Sequence, residues 1–481
     1  MGLRSMSHPP FWCFPLAERT DSVVAYYLFL MANALLFMRP QEFMPVLGDF
    51  QLYLVCIAGA LVFGFHDLVH QLRWRTLVHQ PVNFCVLGML VAIVLSRATT
   101  GNFKELDLVL FNMVKVVLYY LLLVSVINTP QRFRTFLMTT VICATVMVAY
   151  SVVDYRKFCQ EWEGNPEFLV VLDQERHLDP ADRKILRHIP DRNGEDIYGN
   201  EIWFFRLCGL GVFHDPNDIS LLIVATTIIS VFFLTDPAQT GIRYLWIIPI
   251  CINAVAMFYT YSRGGLLALG VGGLVWLITR YGTKVAIAIG VAGALVAPVI
   301  LGRAANIDVS SGTGQQRIQL WSEGLQAIQG GKFFFGIGEG VYPELGQHVA
   351  HNSFVHSFVE LGFFGGTIFM GCFFLPGLTI YLIQRSGFKI SDPTLRRFLP
   401  YLAAILAEWC TGMYSLSRCY VSPTYMIAGL AASYMNLVGY YRPFPKPLIR
   451  LSFRLLQPWV AASAGLLAFT YVFIRLFARW S

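Results

Sequence analysis

Charge is scarce in this chain: Asp, Glu, Lys and Arg make up only 14% of its 481 residues, while 56% are hydrophobic. A water-soluble domain of that length and composition has too little polar surface to cover itself, which excludes one. Metal-ligand spacing is missing as well. The ten cysteines are scattered without a C-x-x-C pair, mostly inside apolar runs where they act as small hydrophobes. No metal and no cofactor is expected. No repeat of fixed period, no low-complexity tract and no convincing inverted repeat of the transporter kind is found. The first apolar run follows a long N-terminal stretch without a small-residue cleavage site, so it is expected to remain as a helix. The net charge of +7 does not point to nucleic acid, because Lys and Arg cluster in short loops between apolar runs, as cytoplasmic loop bias predicts.

What is abundant is apolar length. Five runs come first, near 23–38, 50–65, 82–96, 108–127 and 136–153. Eight follow, near 219–234, 244–261, 264–279, 285–301, 358–383, 399–414, 420–440 and 460–474. Each approaches the roughly 20 residues that cross about 30 Å of hydrocarbon. The chain therefore reads as an all-α polytopic membrane protein of 12–13 transmembrane helices, a single transmembrane domain over residues 1–481 with membrane lipids as its surroundings.

A cytoplasmic N-terminus and strict alternation put Arg73/Arg75, Arg132/Arg134, Arg280/Lys284, Arg385/Lys389/Arg396/Arg397 and Arg442/Lys446/Arg450 inside, as positive-inside orientation requires. Two longer polar loops, 154–205 and 302–352, then share the opposite face with the turn Ser262-Arg263-Gly264-Gly265. Arg475 and Arg479 run against this bias and leave the side of the C-terminus open. Cys159 and Cys208 flank the first loop; two free thiols are the default, a disulfide the alternative.

The second loop carries the most chemistry. Ile318, Trp321, Leu325 and Ile328 fall on one side at helical spacing, which predicts an amphipathic helix on the membrane or on the bundle, with Arg317 one turn before Trp321. That arginine meets either headgroups or a ligand. Gly336, Gly338 and Gly340 permit close backbone approach, but no strand precedes them and no G-K-[ST] follows, so a structural turn is the better reading. His351 opens the next helix where one face still meets water, suiting it to act as a base, a hydrogen-bond donor or a structural residue. Arg263 has no long loop around it, so its guanidinium must lie at the membrane surface or in a cavity, where an anion is a suitable partner. Arg206 and the His214-Asp215-Pro216-Asn217-Asp218 turn stand similarly before another helix, with capping the simpler role for the turn. Lys115 and Glu408 lie inside apolar runs, as functional groups or a structural ion pair.

Taken in order, S-R-G-G-L-L-A-L from Ser262, the Q-R-I-Q-L-W helix, F-G-I-G-E-G, and H-N followed by G-F-F-G resemble the signature region of the O-antigen ligase superfamily. The similarity covers about 206–383. The superfamily includes lipopolysaccharide O-antigen ligases, polysaccharide polymerases and some protein O-oligosaccharyltransferases. The resemblance implies a GT-C-type membrane glycosyltransferase in a bacterial inner membrane, with a long periplasmic loop that carries short helices. It implies transfer of a glycan from undecaprenyl diphosphate to an acceptor glycan or glycolipid. It further implies His351 as general base or essential catalytic residue and Arg263 and Arg317 as holders of the diphosphate, with Arg206 a weaker match. Asn352 and Trp321 are expected beside the substrate. Arginine forks match phosphate oxygens and no acidic cluster with metal-ligand spacing clearly shares their face, so a metal-independent reaction is the expectation; attack of an acceptor hydroxyl on the anomeric carbon, with His351 taking its proton, would invert configuration. Ligase and polymerase are not separated by these motifs. A protein O-oligosaccharyltransferase or a carrier of lipid-linked glycan remains the alternative, and the carrier would rest on Lys115 and Glu408 rather than His351.

Overall fold

A computed structural model describes residues 22–42, 51–162, 188–195, 201–291, 313–346, 349–441 and 446–478. Fifteen helices can be bounded among them: α1 Val23–Met38, α2 Leu52–Leu72, α3 Trp74–His79, α4 Pro81–Thr100, α5 Leu106–Val126, α6 Pro130–Trp162, α7 Pro216–Leu234, α8 Ile247–Thr260, α9 Arg263–Tyr281, α10 Thr313–Ala327, α11 Tyr342–Gly346, α12 Ser353–Arg385, α13 Pro393–Met413, α14 Ser422–Tyr440 and α15 Phe453–Phe477. The sheet among the described residues is a two-stranded antiparallel ribbon of β1 Ile189–Glu195 and β2 Glu201–Arg206, in which Ile189 pairs with Arg206. Residues 283–291 are also helical, and the remainder of the run expected at 285–301 lies outside the described residues.

Local chemistry sets many helix starts. Proline stands in the first turn of α4, α7, α13 and α14, where a missing N–H costs no hydrogen bond. Ser22, Asp215, Ser262, Asn352 and Asp392 cap α1, α7, α9, α12 and α13 with a side-chain oxygen.

Nine helices among the described residues are long and apolar enough to cross a membrane: α2, α4, α5, α6, α7, α8 with the turn before it, α9, α12 and α15. The chain is a multi-pass membrane protein. Three more run among them without meeting that standard. Helix α1 has only 16 residues. Helix α13 carries Arg396, Arg397 and Glu408. Helix α14 contains Ser, Thr, Asn and Gly, yet is buried at every position from Pro423 to Gly439. A helix enclosed by others needs small side chains for close approach more than it needs lipid solubility. A Cβ at Gly429 of α14 would lie 2.7 Å from a methyl of Leu123 on α5.

The alternation read from the basic loops agrees with the packing. Asp236, after α7, meets Arg134 at 2.8 Å and Arg397 at 2.6 Å, gathering the starts of α6 and α13 at one end of the bundle. The starts of α7, α9 and α12 lie at the other. Helix α15 finishes there too, since Gln315 Nε2 donates to the Phe477 carbonyl at 2.8 Å. Arg475 thus ends on the same side as the loop helix α10. Arg479 and Arg442 lie outside the described residues.

Candidate active site

Three helix N-termini converge at this end. Asp215 Oδ1 accepts from Asn217 N (2.7 Å), Ser262 Oγ from Gly265 N (3.1 Å), and Asn352 Oδ1 from both Phe354 N (3.1 Å) and Val355 N (3.2 Å). Two of these starts are fastened together, because Ser262 Oγ donates to Asn217 Oδ1 (2.8 Å) and receives Ser220 Oγ at 3.2 Å. The glycines of the Ser262 turn permit that approach: a Cβ at Gly265 would come 2.4 Å from Ser220 Oγ, and one at Gly264 2.6 Å from Ser415 Oγ. Each N-terminus carries a partial positive charge and favours an anion beside it.

Arginines reinforce the sign. Arg206 donates through Nε to the Thr260 carbonyl (3.0 Å) and through its fork to Asn217 Oδ1 (3.2 Å), with Asp191 at 3.8 Å. Arg317, on α10, is half-buried; burial pulls its guanidinium below the usual range, Asp215 opposes that shift and Arg206 adds to it. Those influences mark Asp215 and Arg206 as its electrostatic neighbours. Arg263 is exposed as the first residue of α9. Arg418, on the loop between α13 and α14, grips Asp218 with both edges of its fork, Nε to Oδ1 at 2.7 Å and a second bond to Oδ2. Its backbone N–H donates to Ser353 Oγ (2.8 Å), which tethers that loop to the start of α12.

His351 sits immediately before this start and is half-buried, with φ of 46°. A non-glycine residue in the left-handed region costs about 1–3 kcal/mol and is found where surroundings enforce it, often at functional sites. Here Trp321 Nε1 donates to the carbonyl of Ala350 (2.7 Å) on one side. On the other, Ser353 Oγ donates to the Leu416 carbonyl (2.6 Å).

Behind the histidine, the glycine-rich loop is joined to α12 main chain to main chain. Ile337 N donates to Val359 O (3.1 Å), Gly338 N to Glu360 O (3.1 Å), Phe363 N to Phe333 O (2.8 Å) and Phe364 N to Phe334 O (3.1 Å). Helix α12 breaks at Gly362 (φ 66°, ψ −173°) to accept them. A Cβ on Gly336, itself at φ 79°, would lie 2.2 Å from the Glu360 carbonyl, so the turn reading of these glycines holds. Glu360, 1% exposed, receives Gly340 N (2.9 Å) and Tyr342 N (3.2 Å) on one oxygen. Tyr420 OH (2.9 Å) and His356 Nε2 (3.0 Å) meet the other. Beside it, Arg97 binds Glu339 at 2.9 Å, and burial raises the Glu339 carboxyl above its usual range, with Glu360 adding to the rise and Arg97 opposing it.

The residues singled out in the sequence thus fall into two groups. Arg206 and Arg317 share one electrostatic neighbourhood, and the start of α9 with Arg263 is fastened to the start of α7. Trp321 and Asn352 spend polar atoms on placing His351 and capping α12, although Asn352 Nδ2 is buried without a hydrogen-bond partner among the described residues. The amphipathic face of α10 packs on the bundle: Ile318, Leu325 and Ile328 join Tyr342, Val355, Val359 and Ile474. Sequence spacing does not reveal Arg418 with Asp218 or Tyr420 with Glu360, because these pairings join segments 200 and 60 residues apart. The local signal is the four-residue spacing of His356 and Glu360.

Lys115 and Glu408 do not pair. Lys115 Nζ lies 4.5 Å from the Phe111 ring centre, whereas Glu408 is fully buried on α13, its Cβ within 3.0 Å of where a Cβ on Gly272 would stand. Cys159 and Cys208 are not joined by a disulfide, and burial pushes the Cys208 thiol up to about 12. The first polar loop is described only at its ends, and residues 163–187 and 196–200 lie outside the described residues.

Residues 248–370 match a family model described as O-antigen ligase. No curated protein matches the chain. The matched stretch runs from α8 to the middle of α12 and includes Arg263, Arg317, Trp321, His351 and Asn352. It lies within the stretch, about 206–383, over which the sequence motifs resemble the O-antigen ligase superfamily.

Proposed function

We propose, for a chain carrying an O-antigen ligase domain over residues 248–370, transfer of a glycan from undecaprenyl diphosphate to an acceptor sugar or lipid in surface polysaccharide synthesis. The observation that carries this reading is the convergence of Arg206 and Arg317 with the starts of α7 and α9, on the face where His351 precedes α12. A diphosphate suits that place because helix N-termini and guanidinium forks both favour phosphate oxygens. Arg263, exposed at the start of α9, adds a further donor. Asn352 and Trp321 serve the substrate by placing His351.

In the reaction, an acceptor hydroxyl attacks the anomeric carbon. The new C–O bond forms as the bond to the diphosphate breaks, and the diphosphate leaves with the electron pair. Arg206, Arg263 and Arg317 meet the growing negative charge without reorganising. Neutral His351 takes the hydroxyl proton. Single displacement inverts the anomeric centre. The arginines fill the electrostatic role that a metal ion has in other transferases, while Asp218 is engaged by Arg418 and Asp215 caps α7. The site end faces the periplasm in an inner-membrane orientation, as the basic loops at the opposite end favour.

The test is a deletion strain complemented with wild-type protein or His351→Ala, scored for polysaccharide length and for glycan on lipid A-core. Loss of long chains with single repeats still attached identifies a polymerase; accumulated lipid-linked chains above a bare core identify a ligase. Unchanged glycans in the deletion refute the assignment.

A further inference from the structure

Glu360 takes no part in the chemistry described above, yet it gathers more of the site than any other side chain. Its partners come from three segments. Gly340 N and Tyr342 N belong to the glycine loop, His356 to the first part of α12, and Tyr420 to the loop that carries Arg418. Tyr342 extends the reach, since its OH donates to the Leu320 carbonyl (2.8 Å) in α10, the helix of Arg317. Its ring also lies 5.4 Å from the His356 ring. A Cβ at Gly324 would sit 2.5 Å from the Tyr342 hydroxyl, so α10 and Tyr342 fit against each other closely.

The hydrogen-bond network also assigns a tautomer. The two backbone N–H groups can only donate, and a carboxylate can only accept, so His356 Nε2 carries a proton toward Glu360. Its Nδ1 is buried without a partner among the described residues. A bare acceptor nitrogen there is less costly than a buried N–H with nothing to bond, which leaves His356 neutral.

We propose that Glu360 is the positioning residue of the site: its carboxylate, holding four donors from three chain segments, sets Arg317, Arg418 and His351 in register, with His356 fixed as the neutral Nε2–H tautomer. This deepens the transferase reading and rests on it. Glu360→Gln keeps an acceptor oxygen for Gly340 and Tyr342 and turns an amide N–H toward His356, which can accept it by moving its own proton to Nδ1. Glu360→Ala leaves the donors buried and unpaired.

The experiment uses the full chain in lipid nanodiscs, with ring-¹⁵N-labelled histidine and inorganic pyrophosphate as the probe of the arginine cluster. His356 is assigned by its missing signal in His356→Asn. In the wild type, His356 shows a protonated Nε2 and a bare Nδ1; in Glu360→Gln the proton moves to Nδ1, where it is buried without an acceptor among the described residues, and pyrophosphate affinity falls by about threefold, less than in Glu360→Ala. Glu360→Ala loses at least roughly tenfold in pyrophosphate affinity and in kcat/KM for transfer. Tyr420→Phe, which removes one donor without opening a cavity, gives a smaller loss in the same direction and serves if the alanine variant does not fold. A wild-type His356 protonated on Nδ1, unchanged affinity in both Glu360→Ala and Tyr420→Phe, or equal losses in Glu360→Gln and Glu360→Ala overturns the proposal. If the wild type binds pyrophosphate but transfers no glycan, the transferase reading fails while these measurements still judge Glu360.

Discussion

At the end of the bundle opposite the site, Asp236 is 2% exposed and binds Arg134 and Arg397 from two other helices, with Arg397 also donating to the Phe232 carbonyl at 3.1 Å. At the site end, Arg206, Arg263, Arg317 and Arg418 stand among helix N-termini, and the close bidentate pair is Arg418 with Asp218. Both ends use arginine and aspartate. The first seats one buried carboxylate between two guanidinium groups and so ties α6, α7 and α13. The second leaves Arg263 exposed and Arg206 3.8 Å from Asp191, beside helix N-termini whose dipoles favour an anion. Packing follows from the first arrangement and recognition from the second.

The largest expected effect tests the second. His351→Ala lowers transfer by about 10²- to 10⁴-fold in purified protein, while the unfolding midpoint stays near wild type. Arg317→Ala lowers it by about 10²-fold or more for loss of a charged donor to the leaving group. Equal losses of stability in these variants would erase the distinction between the two ends. Next comes Asp236→Ala, which leaves two arginines without their carboxylate and costs about 3–5 kcal/mol in detergent unfolding, with transfer per folded molecule unchanged. A strong loss of specific activity there would make the opposite end part of the site. Asn352→Ala removes the cap of α12 and costs about 1 kcal/mol; Asn352→Asp restores most of that stability, so comparing their transfer rates isolates what the amide contributes. Smallest is Lys115→Gln, expected to leave both stability and transfer within error. A glycan carrier that depended on this charge would instead lose function more completely than with His351→Ala.

The bundle was largely legible because membrane helices announce themselves by local composition. Apolar length gave the succession of helices, basic loops gave their alternation, and the spacing of Ile318, Leu325 and Ile328 gave a loop helix packed on the bundle. Helix α14 shows where this rule weakens: enclosed on all sides, it answers to neighbours rather than to lipid. At the candidate site, Arg263 and His351 stand out by local pattern, one in a tight turn between apolar runs and one at a helix start. Local pattern does not show where distant segments complete one another's valences. Nothing near Arg418 predicts Asp218, and nothing near Glu360 predicts Tyr420. Lys115 and Glu408 teach the converse, since two costly charges in apolar runs suggested a pair that the packing does not make.

The main-chain bonding between the glycine loop and α12 also bears on inheritance. Phe334 lends its carbonyl to Phe364 while its side chain is 60% exposed. The frame at that point is written in atoms that every amino acid carries, so neutral drift can exchange the outward side chain and leave the loop in place. Gly336 and Gly362, whose backbones meet where no Cβ fits, are denied that freedom. A lineage built on this fold can therefore alter what it presents around the loop while descendants keep the same scaffold.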